Sequence, residues 1–268
     1  MTATVVGGLP DYVQQPPIGT YRSLNPTTKL TIALVEAIVA FTVRGWTGPL
    51  LVLAVVLVTG LSARVGRAFL PFVLATIPLI ASILLVNTFL SPGATDVIVR
   101  LGPLAPTWTG LAFATQATLR VVAFAMSVAL LGLTTRPDHL IGELELRGMG
   151  RRAGFVLSAT LRTIPRIGAR AGEITEAQRS RGLDTEGGIW PRVRGLVPLA
   201  APLVFSALSE VEEQTMALEA RGFSAPGRRT VLRPFPDSRR QRLLRRVLLI
   251  GGAVVVVASI SGLLGWLP

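Results

Sequence analysis

The sequence predicts an all-α integral membrane protein with about five transmembrane helices and one long polar insert. Half of the 268 residues are hydrophobic, and the mean hydropathy is +0.56. The apolar residues come in blocks too long for a soluble core, whereas a bilayer core of about 30 Å needs roughly 20 apolar helical residues. Most basic residues lie between two such blocks. Together these observations favour a membrane domain interrupted by a cytoplasmic one.

Residues 1–28 are predicted to form a cytoplasmic tail, and the membrane domain of four helices is expected in 29–133. The first 20 residues are polar and lack the basic start and apolar stretch of a signal peptide, so we expect a mobile segment. The first two spans, Leu30–Val43 and Trp46–Leu61, are short for a bilayer. Only Arg44 and Gly45 separate them, which predicts a tight helical hairpin whose ends use interfacial residues.

The next two spans are long enough to cross a bilayer. Ala68–Leu90 contains Pro71 and Pro78, which predict kinks because proline lacks a backbone N–H group. Trp108–Leu133 follows, and a short helix over 137–146 is expected near the membrane surface.

The last transmembrane helix is predicted in 247–268, and the Lys and Arg residues orient all five. The segments 1–29, 63–67 and 134–246 hold 24 of the 27 basic residues. Because cytoplasmic loops carry the excess of Lys and Arg, we expect the N-terminus inside the cell and the C-terminus outside.

Residues 134–246 are predicted to form a cytoplasmic domain built on two amphipathic helices, 156–181 and 198–221. Apolar residues recur in both at steps of three and four, the spacing of one helix face. Three prolines bear on this interpretation, one expected to bend the first helix and two expected in the first turns of the second: Pro165, Pro198 and Pro202.

Both amphipathic helices are predicted to end in the same motif. Glycine just beyond a helix adopts the left-handed conformation that ends it, and Arg in the last turn suits the negative end of the helix dipole. One copy is typical of an ordinary helix cap, but two copies indicate docking to two equivalent sites on a dimeric partner. Each copy is a small residue followed by Arg and Gly: Ser180, Arg181 and Gly182, then Ala220, Arg221 and Gly222.

With this topology, the motif pair resembles the transmembrane (T) component of energy-coupling factor transporters, a branch of the ABC transporters that imports vitamins and metals. That family carries Ala-Arg-Gly-type motifs at the ends of two cytoplasmic coupling helices. The second copy matches fully, and Ser180 stands for Ala in the first. The family also tends to begin its first span with Pro-x-x-Lys, and Pro26 to Lys29 is similar. The resemblance covers nearly the whole chain from about residue 22.

The resemblance implies that Arg181 and Arg221 each dock into one of two nucleotide-binding ATPase subunits. The coupling helices would carry the ATP-driven motion to one small membrane subunit, which binds the vitamin or metal ion. This chain would contain no catalytic residue and bind no cofactor, since ATP and Mg would lie on the ATPase subunits. It would reside in the cytoplasmic membrane.

Two ionisable residues lie inside predicted spans, Glu36 in the first and Arg120 in the fourth. Such groups are costly in a bilayer unless they are paired or hydrated. A buried ion pair between them, or separate partners within the bundle, is favoured over a role in coupling or at the substrate.

Arginines at 162, 166 and 170 form a row at four-residue spacing on the first amphipathic helix. Such a row can bind anionic lipid head groups. We favour a solvated face that Glu173 and Glu176 partly neutralise.

Composition argues against other classes of protein. The chain has no Cys and a single His, so disulfides, thiolate catalysis and Cys- or His-based metal sites are not expected. Nucleic-acid binding is not expected either, because the basic insert is too poor in aromatic residues to stack bases.

Two alternative functions remain open on the residues alone. One is the permease of an ordinary ABC importer, since Glu176-Ala177-Gln178-x-x-x-Gly182 loosely resembles its Glu-Ala-Ala-x-x-x-Gly loop. That loop normally occurs once, with further spans after it. The other is a membrane-embedded enzyme, which would need a nucleophile, base or metal constellation.

Overall fold

The computed structural model describes residues 21–43, 45–90, 96–98, 106–182, 189–225 and 237–262, with the backbone alone over 189–198. In these ranges the regular structure is helical apart from one antiparallel bridge between Val97 and Thr107. The chain divides into two compact units. We call Met1–Gly148 with Phe235–Pro268 the membrane unit, and Met149–Pro234 the insert unit. The predicted all-α class is confirmed.

Six α-helices of the membrane unit and two of the insert unit lie in the described ranges. The membrane unit contains α1 (Pro26–Thr42), α2 (Thr47–Ser62), α3 (Leu70–Phe89, after a 3₁₀ turn at Gly66–Phe69), α4 (Trp108–Thr134), α5 (Pro137–Leu146) and α8 (Arg239–Ile260). The insert unit contains α6 (Arg151–Arg179) and α7 (Ile189–Ala220).

Side-chain caps explain where three of these helices begin. Asn25 Oδ1 accepts a hydrogen bond from the Thr27 N–H group at 3.0 Å, and proline follows at the first helical position of α1. Thr107 caps α4 and Ser238 caps α8 in the same way. These side chains satisfy N–H groups that the first helical turn leaves without a backbone partner.

Among the described residues, three segments are long and apolar enough to cross a bilayer: Gly66–Phe89, Trp108–Thr134 and Arg239–Ile260. The helices of the predicted hairpin are shorter, with 17 residues in α1 and 16 in α2. At about 1.5 Å per residue they extend about 24–26 Å. As expected from the sequence, the hairpin is too short to cover the hydrocarbon core of about 30 Å by itself.

Helix α4 lies at the centre of the membrane unit, in contact with α1, α2 and α3. Its side of the core consists of small and aliphatic residues, among them Ala123 and Leu130, both at most 1% exposed. Helix α3, by contrast, has no buried residue. The described parts of the chain therefore leave much of its apolar surface uncovered.

The structure corrects the predicted course of two spans. Pro71 lies in the first turn of α3, where proline is tolerated, so only Pro78 lies inside that helix. Helix α8 begins at Arg239, two turns before the predicted start at Val247. Arginine is a good helix former, so the basic turns continue the helix.

The insert unit is narrower than the predicted domain 134–246, since α5 and the first turns of α8 belong to the membrane unit. Both of its helices begin earlier than the apolar periodicity predicts. Pro165 lies inside α6 as expected. Pro198 and Pro202 lie well inside α7, which corrects their predicted position in its first turns.

Candidate functional site

The two Arg-Gly motifs occupy exposed helix ends with the same backbone geometry. Gly182 has φ +88° and Gly222 has φ +67°, the left-handed region that favours glycine. The N–H group of each glycine donates to the carbonyl three residues earlier at 2.9 Å, that of Arg179 in the first motif and Glu219 in the second. The prediction of glycine-terminated helices is confirmed, and all six motif residues are exposed.

The second motif continues into a full Schellman cap. The Phe223 N–H group donates to the Leu218 carbonyl at 2.9 Å, the bond from the residue after glycine that defines this cap. The Phe223 ring packs on Phe155 near the start of α6, with centroids 4.8 Å apart. Sequence analysis missed Phe223, although an apolar residue directly after a capping glycine is a usual part of the cap.

The arginine side chains of the two motifs are available for binding. Both Arg181 and Arg221 are exposed, and neither side chain makes an ion pair or hydrogen bond with the part of the chain that the structure describes. A free guanidinium carries five N–H donors in a planar fork that suits carboxylates and carbonyls.

The motifs lie at opposite ends of an antiparallel helix pair. Arg166 of α6 forms an ion pair with Glu210 of α7, and Arg170 Nε donates to Ser206 Oγ at 3.1 Å. Residue numbers rise along α6 while they fall along α7, and the contact between Phe155 and the end of α7 continues this order. At about 1.5 Å per residue, α6 separates the two motifs by roughly 40 Å.

These contacts also give the partners of the row of arginines on α6. Arg170 Nη1 bonds Glu173 at 3.1 Å, as the solvated-face interpretation predicts. Arg166, however, pairs with Glu210 on α7 rather than with an acid on its own helix. Arg162 Nε donates to a carbonyl of its own helix at 3.1 Å. The row therefore joins the two helices of the insert unit.

The structure gives Glu36 a neutral partner. Ser127 Oγ of α4 donates to Glu36 Oε2 at 2.6 Å, with both residues buried. Arg120 lies almost two turns away along α4 and is half-buried. The sequence allowed either an ion pair between these two residues or separate partners within the bundle. The hydrogen bond of Glu36 to Ser127 agrees with separate partners.

The Pro-x-x-Lys segment joins the start of α1 to the end of α4. Lys29 is 3% exposed, and its Nζ donates to the carbonyls of Arg22 and Thr134, both at 2.9 Å. Thr134 is the last residue of α4, whose carbonyls carry the negative end of the helix dipole. The lysine therefore acts as a cap for a neighbouring helix.

No group of three or more His, Asp or Glu side chains that could hold a metal ion occurs in the described parts of the chain.

Comparison with known proteins identifies the family of the chain. A family model described as cobalt transport protein matches residues 20–231. The energy-coupling factor transporter transmembrane protein EcfT of Listeria innocua is 32% identical over 256 residues, 91% of this chain and 92% of that protein. The EcfT protein of Thermosediminibacter oceani is 31% identical over 221 residues, 77% of this chain and 81% of that protein. The chain therefore belongs to the family of energy-coupling factor transporter transmembrane proteins.

Proposed function

We propose that this chain, as the coupling subunit of an energy-coupling factor transporter, docks two cytoplasmic ATPase subunits through Arg181 and Arg221. The observation that carries the proposal is a pair of exposed arginines at opposite ends of one antiparallel helix pair, neither of them bonded through its side chain to a described residue. Similar motifs about 40 Å apart suit two copies of one kind of acceptor. ATP and Mg bind to the ATPase subunits, and this chain supplies no ligand to them.

The remaining surface of α6 and α7 suits the third partner, a small membrane subunit that binds the substrate. Large apolar side chains stand exposed on both helices, including Ile164 at 62% and Phe205 at 70%. Contiguous apolar surface on helices that are otherwise polar marks a protein or membrane contact. A motion of the helix pair then moves the substrate subunit, which carries a vitamin or a metal ion.

The position of the chain in the cell membrane follows from its charge. The three segments assigned to the inside hold 24 of the 27 basic residues, which supports a cytoplasmic N-terminus, a cytoplasmic insert unit and an external C-terminus. Both motif arginines then face the compartment that contains ATP.

The two alternative functions have less support. A permease of an ordinary ABC importer carries one coupling loop, and here the helix-ending motif occurs twice with the same geometry. The relatives are named as transporter transmembrane proteins, which supports a non-catalytic role over a membrane enzyme.

The test is capture of the ATPase subunits by the tagged chain in mild detergent, with quantitative mass spectrometry. We expect Arg181→Glu and Arg221→Ala each to lower capture at least tenfold, because a hydrogen bond to a charged group contributes about 1.5–3 kcal/mol. Arg240→Ala removes an exposed arginine of α8 that lies outside both motifs and should leave capture unchanged. Normal assembly of both motif variants would show that other residues dock the ATPases.

A further inference from the structure

A network of charged side chains lies where the chain leaves the membrane unit and where it returns. The insert unit is Met149–Pro234, so Arg147 precedes it closely and Asp237 follows it closely. Asp237 Oδ2 accepts hydrogen bonds from Arg147 Nη2 at 3.2 Å and from Arg245 Nη2 at 2.8 Å. One carboxylate oxygen thus connects the chain just before the insert unit, the chain just after it and the first turns of α8.

The same network reaches the start of α1. Arg245 is 8% exposed, and its Nη1 donates to Thr28 Oγ1 at 2.8 Å. One turn earlier in α8, Gln241 Oε1 accepts from the Asn25 N–H group at 2.9 Å. The first turn of α1 is therefore bound to α8 through two side chains, and one of them is the arginine that Asp237 holds.

A second carboxylate joins the network. Glu143 of α5 is 4% exposed and lies 3.5 Å from Arg147. Removing the charge of Asp237 leaves Arg245 buried without its counter-ion, which is strongly unfavourable. The Asp237–Arg245 pair, with side chains 26% and 9% exposed, therefore fixes its neighbours more firmly than the Arg147–Asp237 pair, in which the arginine is 37% exposed.

We propose that Asp237 is the positioning residue that transmits a displacement of the insert unit to α1 and α8. The inference rests on the proposed function, because docked ATPase subunits supply the displacement. A displacement of the chain at either end of the insert unit moves the Asp237 carboxylate, and Arg245 moves with it. Thr28 and the first turn of α1 follow, so the signal enters the membrane bundle at the N-terminal end of α1.

The experiment is hydrogen–deuterium exchange on the complex with its ATPase subunits, with and without ATP plus vanadate. We expect nucleotide to change the exchange of peptides covering residues 21–29 in the wild-type chain. Asp237→Asn should reduce that change by at least half while the ATPase subunits stay bound. Asp237→Glu restores the charge and should restore most of the response. Asp138→Asn, at an exposed site on α5, is the matched control and should respond as wild type.

A full nucleotide response in the Asp237→Asn complex would overturn the inference, and so would a wild-type complex whose residues 21–29 ignore nucleotide. If Asp237→Asn does not fold, Thr28→Val replaces it, since it removes the Arg245–Thr28 hydrogen bond and leaves the Asp237–Arg245 bond in place. An unchanged response in that variant also contradicts the inference. Failure of the proposed function would give a different result, because the ATPase subunits would then not bind the wild-type chain at all.

Discussion

At the scale of single residues, the motif glycines hold a conformation that other residues adopt only at a cost. Gly182→Ala should destabilise the chain by about 1–2 kcal/mol, the penalty of left-handed backbone for a residue with a Cβ atom. No atom lies within 4 Å of the added Cβ, so the cost comes from the backbone alone. Denaturant unfolding in detergent measures it.

The control substitution should change the stability in the opposite direction. Gly168 lies inside α6, and an added Cβ there also has no atom within 4 Å. Gly168→Ala should therefore stabilise the helix by about 0.5–1 kcal/mol. Equal effects at the two glycines would contradict the left-handed cap.

Phe223 directly follows Arg221 and Gly222, so its loss should affect the second motif only. Phe223→Ala removes the ring contact with Phe155, worth about 0.5–1.5 kcal/mol beyond buried area. We expect weaker ATPase capture through Arg221, seen most clearly in an Arg181→Glu background where the second motif acts alone. Phe155→Leu keeps an apolar neighbour and should retain most of the capture. A Phe223→Ala variant with normal capture in that background would show that the ring does not position Arg221.

Local features could be predicted from the sequence, and side-chain partners between helices could not. The glycine caps depend on a few consecutive residues, so Gly182 and Gly222 are identifiable in the sequence. The partner of Glu36 depends on how α1 and α4 are rotated about their axes, which neither helix determines alone. The sequence around Ser127 therefore does not identify it as the partner of Glu36.

At the scale of helices, the contacts between α6 and α7 are weak individually. The side chains of Arg166 and Glu210 are 55% and 32% exposed, and such pairs contribute about 0.2–1 kcal/mol. A double-mutant cycle with Arg166→Ala and Glu210→Ala should give a coupling energy in this range that falls with added salt. A salt-independent coupling above about 2 kcal/mol would contradict a solvated pair.

Helix starts were harder to predict than helix ends. Apolar periodicity becomes visible only where one face is buried, whereas α6 and α8 begin with arginine-rich turns. Such turns are helical because adding a residue to an existing helix is easy once nucleation has occurred. The same reasoning explains why the prolines at 198 and 202 suggested a late start for α7.

At the scale of the whole molecule, acid should weaken the network around Asp237. The hydrogen bond from Arg245, helped by the charges of Arg245 and Arg147, holds the pKa of the Asp237 carboxyl below its usual value. A carboxyl with a lowered pKa in the folded state stabilises that state above its unfolded pKa of about 3.9. This contribution is lost as the pH falls through the lower folded pKa.

Thermal unfolding of wild type and Asp237→Asn in detergent tests this. The difference in midpoint should stay constant from about pH 7 to about pH 5 and shrink below about pH 4. A difference that grows in acid would mean that the pKa of Asp237 is raised.

Membrane orientation can be tested with single thiols because the chain contains no Cys. An impermeant maleimide should label Ser261→Cys in intact cells, since both the end of α8 and this exposed residue face outward in the proposed topology. Ala177→Cys, exposed on α6, should react only after permeabilisation. The reverse pattern would put the motif arginines on the side without ATP.

The antiparallel pair has a mechanical consequence. Its helices are joined largely by half-exposed polar contacts, while large apolar side chains such as Phe205 remain uncovered. A joint of this kind has a low stiffness, so the crossing angle between α6 and α7 costs little to change. We therefore expect this angle to be set by whatever binds the two ends of the pair.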